Sequence, residues 1–173
     1  EKLADMSIEY LSMQARAGAN ALQIFDSWVG AVNSTEYEQA IFPHMKRIIS
    51  TVKSRFPNLP LAMNGVGTDH LVSTWAKLPL DVIALDWRSS LGAAKDRGVT
   101  QTVQGNLDPA YLYGDTKTIA KVVDEILTDG VRHGKHVFNL GHGVFPEADP
   151  AKLHWLTDYV HEKSRELWAR ESR

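Results

Sequence analysis

The sequence contains no cysteine, so it holds neither a disulfide framework nor a thiolate metal site. Its apolar runs are far shorter than the roughly 20 residues that a membrane-spanning helix needs. Neither sign of charge is in clear excess, since the chain has 19 Lys and Arg and 21 Asp and Glu, for a formal net charge of -2. This balance gives no electrostatic reason to expect a nucleic acid or an anionic membrane as partner. These absences favour a cytoplasmic protein, because the reducing cytosol does not support disulfides.

Standard cofactor and hydrolase motifs are missing as well. There is no G-x-x-x-x-G-K-[ST] phosphate loop and no G-x-S-x-G nucleophile elbow. The segment Gly65-Val66-Gly67 follows a strand-like run, but His70 occupies the place of the third glycine of a dinucleotide fingerprint. His154 and His161 are seven residues apart, not the four of the zinc-binding helix motif. The residues therefore predict no cofactor and no metal ion.

The sequence does contain short apolar runs that alternate with longer amphipathic ones, the pattern of βα units and a parallel sheet. Five strands are predicted, at residues 21–25, 61–64, 82–85, 102–104 and 137–140. A closed (β/α)8 barrel needs eight strands and usually at least about 200 residues. The 173 residues therefore fit one α/β domain, either the C-terminal portion of a barrel or a small doubly wound sheet. Because the chain opens on Glu1 rather than Met, we expect it to be a piece of something longer.

Two helical patterns lie in the first third of the chain. Residues 6–16 are predicted to form one helix that precedes the first strand. Thr35 and Glu38 have the spacing of a capping box for the second helix. Pro43 is expected to kink or restart that second helix, because proline lacks a backbone N–H.

Two further helices are predicted in the second half. One begins after Asp115 and is expected to end near Gly130, since glycine is the usual residue at a helix C-terminus. The other begins at Asp149-Pro150, a capping residue followed by proline at the first helical position.

Ligands of parallel α/β folds bind at the carboxyl ends of the strands, so the loops there are the candidates for function. In FDSWVG (25–30), Ser27 either hydrogen-bonds a polar ligand or belongs to a turn with Trp28 packed on the sheet rim. In LDWR (85–88), Arg88 either grips a ligand carboxylate or forms a surface ion pair beside a packed indole. In QGNLDP (104–109), Asp108-Pro109 favours a turn or a helix start.

His142 lies between Gly141 and Gly143, directly after the last predicted strand. Glycine on both sides removes side-chain bulk and allows the backbone and a ligand to approach closely. The imidazole is therefore expected to be accessible at the mouth of the strand. A histidine near a strand end is also commonly a satisfied structural residue, and the local sequence does not decide between the two readings.

Four segments together resemble one known family, in the same order and at similar spacing. They are LQIFDSWVG (22–30), DVIALDW (81–87), VQGNLDP (103–109) and FNLGHGVFP (138–146). Their arrangement resembles the C-terminal half of the uroporphyrinogen decarboxylase family.

The resemblance implies the C-terminal portion of a (β/α)8 TIM barrel, from a cytoplasmic enzyme that is typically a homodimer. Such enzymes remove carbon dioxide from the four acetate side chains of uroporphyrinogen to give coproporphyrinogen, on the pathway to haem, without a metal or an organic cofactor. By position in the motifs, Ser27 resembles the family's substrate-binding serine. His142 resembles its substrate-contacting histidine, which we expect to orient a carboxylate and to serve as a proton relay.

The chain departs from the family in length. The family protein is about twice as long, and its N-terminal half brings an arginine-rich segment, a central aspartate and an active-site tyrosine that have no recognisable counterparts here. We therefore expect residues 1–173 to form one domain that is inactive alone. Two alternatives are a non-catalytic half-barrel that only binds a partner and a zinc-dependent methyltransferase relative, which the absence of cysteine disfavours.

Overall fold

The computed structural model describes residues 1–171 as a parallel sheet with helices between its strands. The strands are β1 (Leu22–Asp26), β2 (Leu61–Gly65), β3 (Val82–Ala84), β4 (Thr102–Leu107) and β5 (His136–Leu140). The α-helices are α1 (Lys2–Arg16), α2 (Ser34–Glu36), α3 (Phe42–Arg55), α4 (Val72–Trp75), α5 (Leu91–Ala94), α6 (Thr116–His133) and α7 (Pro150–Glu171). All five predicted strands are present.

The order of the strands in the sheet decides between the two predicted architectures. The order is β1-β2-β3-β4-β5, and every neighbouring pair is parallel. A doubly wound sheet reverses its strand order at a switch point, whereas a (β/α) barrel adds each strand beside the one before it. The α/β class is therefore confirmed, with the winding of a TIM barrel portion. Within residues 1–171, β1 and β5 each pair with a strand on one side only.

The two faces of the sheet differ in character. One row of register partners belongs to the core: Met63, Ile83 and Val103 are buried, and Ile24 is partly buried against them. The next row lies on the opposite face and is more polar: Phe25, Asn64, Ala84, Gln104 and Val137. At the two ends of this second row, Phe25 is 67% exposed and Val137 is 47% exposed. The face therefore exposes large apolar side chains at both edges of the sheet.

The second helix begins two residues earlier than the capping-box spacing predicted, so the assignment of Thr35 as its cap is wrong. Asn33 is the cap, and its Oδ1 accepts a hydrogen bond from the Glu36 backbone N–H at 3.0 Å. The prediction for Pro43 is confirmed, because α3 restarts with this proline in its first turn after a π-helical turn at Tyr37–Ile41.

Helix α6 begins after Asp115 as predicted, with Asp115 Oδ1 accepting from the Thr118 N–H at 2.9 Å. Its predicted end at Gly130 is wrong, because the helix continues to His133 and Gly134 terminates it with φ of 91°. Gly130 is inside the helix for a different reason. A β-carbon there would lie 2.2 Å from His136 Nδ1, so the glycine makes room for that ring.

Candidate active site at the carboxyl ends of the strands

Because all five strands are parallel, the loops that follow them meet at one edge of the sheet. This edge carries Ser27 after β1, Gly67 after β2, Asp86 after β3 and His142 after β5. In barrel enzymes the same edge holds the reactive groups.

The His142 side chain is exposed, and its ring has a defined hydrogen-bonding state. Nδ1 accepts a hydrogen bond from the Gly143 backbone N–H at 2.7 Å. In the neutral imidazole the proton therefore resides on Nε2, which is then a hydrogen-bond donor. The ring also contacts Trp87 edge to face, with centroids 6.2 Å apart and planes inclined by 73°. The Trp87 contact helps to position the imidazole.

The two glycines that flank His142 serve different purposes. A β-carbon at Gly141 would lie 2.6 Å from the Trp87 backbone nitrogen and 3.2 Å from the Asp86 carbonyl carbon. At Gly143 the same atom would meet nothing within 4 Å. Gly141 thus allows the loops after β3 and β5 to touch, whereas Gly143 leaves open space beside the imidazole. The expected close approach of backbone is present on the Gly141 side.

The Asp86 side chain joins the loops after β2 and β3. Its side chain is fully buried, and one carboxylate oxygen, Oδ2, accepts from the Gly67 backbone N–H and from Arg88 Nη1, the latter at 2.9 Å. Oδ1 accepts from the Arg88 backbone N–H, also at 2.9 Å. A buried carboxylate needs such partners, because an unpaired charge away from water is costly. The ion-pair reading of LDWR is therefore the observed one, with the protein's own Asp86 as partner.

Asn106 holds the loop after β3 from the side of β4. The side chain is 7% exposed, and its Nδ2 donates to the carbonyl oxygens of Asp86 at 2.8 Å and Ser89 at 2.6 Å. The sequence reading ended this strand at residue 104, whereas β4 continues to Leu107. Both Asn106 and Asp86 were missed as structural anchors, because their partners come from loops distant in sequence.

Arg88 stacks on the same indole that His142 touches. The Arg88 Cζ lies 4.1 Å from the Trp87 ring centroid, an arrangement that favours a cation. Half of the side chain, 52%, is exposed although its partner Asp86 is buried. Arg88 and His142 therefore both contact the Trp87 indole.

Ser27 lies at the other end of the sheet. Its side chain is exposed, and its hydroxyl has no hydrogen-bond partner within residues 1–171. Next to it, burial raises the pKa of the Asp26 carboxyl above its usual range, and Trp28 is 88% exposed. The exposure of Trp28 contradicts the reading in which it packs on the sheet rim. Four strand spacings separate Ser27 from His142, or about 19 Å measured along the sheet, so only a large ligand would touch both.

Two cavities lie beside the unpaired strand edges. One, of about 570 Å³, lies between α1, β1 and α3 and includes Tyr10 and Phe25 in its lining. The other, of about 470 Å³, lies between β5 and α7 and includes Val137 and Val160. Neither Ser27 nor His142 lines either of them.

The described part of the chain, residues 1–171, places no group of three or more His, Asp or Glu side chains where they could hold a metal ion. In the same residues, no helix combines the length and the apolar character needed to cross a bilayer.

Comparison with solved structures shows a similarity in fold. A methyltransferase from Methanosarcina mazei matches with a TM-score of 0.75 over 95% of this chain and 47% of that protein. Its sequence identity is 17%, so the likeness concerns the fold alone.

Sequence comparison is more specific. The uroporphyrinogen decarboxylase from Geobacillus sp. (strain WCH70) is 51% identical over 94% of this chain and 46% of its own length. The one from Staphylococcus aureus (strain Newman) is 48% identical over 92% of this chain and 46% of its own length. The chain thus spans about half the length of these curated relatives. The model of the family described as uroporphyrinogen decarboxylase (URO-D) matches residues 1–163. The chain belongs to the uroporphyrinogen decarboxylase family.

Proposed function

We propose that the chain is the C-terminal half of a barrel that converts uroporphyrinogen to coproporphyrinogen by removing carbon dioxide from four acetate side chains. The observation that carries this proposal is the family match over residues 1–163, with relatives of that name about half identical to the chain. The sequential parallel sheet with unpaired outer edges on β1 and β5 is what a barrel portion would present.

The proposed reaction uses the substrate as its own electron sink. A proton adds to a ring carbon of a pyrrole, and the bond between the acetate methylene and its carboxylate then breaks. The electron pair of that bond moves into the cationic ring, and carbon dioxide leaves. A proton then adds to the methylene carbon to form the methyl group, and loss of the first proton from the ring carbon restores the neutral pyrrole. The protein supplies fixed donors and charge stabilisation, so this chemistry requires neither a metal ion nor an organic cofactor.

His142 is proposed to hold a substrate carboxylate through Nε2–H and to relay a proton. The support is its exposed ring, its Nδ1 already occupied by Gly143 N–H, and its contact with Trp87. Ser27 is proposed to donate its free hydroxyl to a different carboxylate of the same substrate. Since the two residues follow strands at opposite ends of the sheet, a macrocycle with carboxylates around its rim is the class of ligand that would reach both.

The remaining half of the barrel is proposed to be needed for activity. The substrate carries eight carboxylates and therefore requires a positive cleft, whereas the chain has a formal net charge of -2. Additional cations must come from the other half. We also propose that the complete protein acts in the cytoplasm as a homodimer, as the family resemblance implies.

The decisive experiment joins this chain to the N-terminal half of the Geobacillus relative, giving a complete barrel. Uroporphyrinogen is supplied without oxygen, and the porphyrins are separated after oxidation. We expect the complete barrel to release four carbon dioxide molecules per substrate, and the 173-residue chain alone to release none. Full activity of the chain alone would contradict the need for a second half.

The non-catalytic alternative is tested with the same two proteins. It predicts that the complete barrel folds but neither binds coproporphyrin nor consumes uroporphyrinogen. A folded complete barrel that binds porphyrin and leaves uroporphyrinogen intact would exclude the proposed reaction.

A further inference from the structure

Arg88 has hydrogen-bonding capacity that the protein does not use. Only Nη1 of its guanidinium and its backbone N–H bond to Asp86. Within the described residues, Nε and Nη2 have no partner, and 52% of the side chain is exposed. An arginine that serves only to neutralise a buried carboxylate would not need to present these donors to solvent.

The guanidinium is also held in place from two directions. Asp86, which is itself fully buried and held by the Gly67 N–H, fixes one end of the group. The Trp87 ring lies against it at 4.1 Å and fixes its plane. Such a preorganised fork binds a carboxylate with two parallel hydrogen bonds and loses little side-chain entropy in doing so.

The position relative to His142 indicates what the fork would bind. The guanidinium carbon and the imidazole centroid lie 4.1 Å and 6.2 Å from the same Trp87 ring, so they are at most about 10 Å apart. Both groups follow strands whose carboxyl ends share one edge of the sheet. A ligand held by Nε2 of His142 would therefore place a neighbouring anionic group within reach of Arg88.

We propose that Arg88 forms a carboxylate-binding subsite, which takes a non-reacting carboxylate of the substrate while His142 holds another. The inference rests on the proposed function for the identity of the ligand as a porphyrinogen carboxylate. The subsite positions the substrate and takes no part in bond breaking. Asp86 and Trp87 act as positioning residues for it.

The test compares three variants of the chain: Arg88→Gln, Arg88→Lys and the control Arg47→Gln. Arg47 is matched because it is also a half-exposed arginine paired with a carboxylate, Asp5, at 2.8 Å, but it lies on α3 away from the strand ends. Arg88→Lys keeps a positive charge for the buried Asp86 and loses only the planar fork. It therefore remains informative if Arg88→Gln destabilises the protein.

Binding of coproporphyrin, a tetracarboxylate, to the complete barrel is measured by porphyrin fluorescence. We expect the Kd to rise about 10-fold to 100-fold for Arg88→Gln and about 3-fold to 10-fold for Arg88→Lys, as for loss of charge-assisted hydrogen bonds. Arg47→Gln should stay within about twofold. Equal Kd values for a folded Arg88→Lys and the wild type, or no binding by the folded wild-type barrel, would overturn the subsite.

The same variants in the complete barrel separate this inference from the proposed function. With uroporphyrinogen as substrate, Arg88→Lys should raise KM and leave kcat within about threefold, because it removes binding common to substrate and transition state. Normal KM in a barrel that decarboxylates would refute the subsite and leave the function standing. Arg88-dependent coproporphyrin binding without decarboxylation would refute the function and leave the subsite standing.

Discussion

Alanine at position 141 should destabilise the protein, whereas alanine at position 143 should not. A β-carbon at Gly141 would lie 2.6 Å from the Trp87 backbone nitrogen, and ordinary contact begins at 3.4 Å. The loop would have to move by about 0.8 Å. It cannot do so freely, because the Gly141 N–H is bonded to the Leu107 carbonyl at 2.7 Å. Overpacking of this kind typically costs about 1–3 kcal/mol.

Gly143 is the matched control. A β-carbon at Gly143 would meet no atom within 4 Å, and the Gly143 backbone is outside the left-handed region. The free energy of unfolding of Gly143→Ala should therefore differ from that of the wild type by less than about 0.5 kcal/mol. Urea unfolding of the wild type and both variants measures the free energies. For a protein of this size, the loss in Gly141→Ala corresponds to a decrease in Tm of about 2–12 °C.

The kcat values of Gly141→Ala and Gly143→Ala in the complete barrel provide a second test. Moving the loop at Gly141 displaces His142 from its edge contact with Trp87, so Gly141→Ala should lower kcat more than Gly143→Ala does. If the two variants unfold at the same urea concentration, the close contact between the two loops is not a determinant of stability. Glycine at position 141 would then not be required for the contact between the loops after β3 and β5.

Gly130→Ala should cost about 1–3 kcal/mol in urea unfolding, although alanine is the better helix former, because its β-carbon would lie 2.2 Å from His136 Nδ1. His136→Ala in the same chain should recover part of that loss, and additive losses would contradict the clash. Burial lowers the pKa of His136 below its usual 6.5, so as the pH falls the unfolded chain binds a proton at this histidine before the folded chain does. The contribution of His136 to stability should therefore be complete above about pH 6.5 and decline as the pH falls toward the lower folded pKa. Urea midpoints from roughly pH 8 to 5 should show this decline in the wild type and less of it in His136→Gln, and parallel curves would exclude His136 as the cause. His142→Ala in the complete barrel should reduce kcat by about tenfold to a thousandfold without changing Tm, and unchanged turnover would remove this residue from the mechanism.

The strands were predictable because their apolar periodicity is a local property of the chain. Each of the five was placed within three residues of its observed boundaries. The largest error was in β4, where Gly105 and Asn106 resemble loop residues. Gly105 continues the strand with φ of 138° against the Leu85 carbonyl, a neighbour that no local pattern reveals.

The helix ends show where local rules compete. Asn33 and Thr35 are both good caps, and the Asn33 side chain is the one that accepts a hydrogen bond from the first turn, at the Glu36 N–H. Gly130 and Gly134 are both plausible terminators, and the ring of His136 explains why the first is glycine without ending the helix. Tertiary packing therefore explains the two glycines, which the sequence presented as equivalent.

The candidate site was predicted in part. The accessibility of His142 followed from its glycine neighbours, and its exposed ring agrees with that expectation. The Asp86 network could not be predicted, because its Gly67 partner comes from another loop. The roles of Ser27 and His142 toward a substrate remain predictions.

The unpaired sides of β1 and β5 have a consequence for handling the isolated chain. Each presents backbone N–H and C=O groups that can template another strand, and neither LQIFD nor HVFNL contains a lysine or proline that would discourage such pairing. At high concentration, copies of the chain are therefore expected to associate edge to edge into growing oligomers. Dilute refolding, or a tethered companion that occupies both edges, should keep the chain monodisperse.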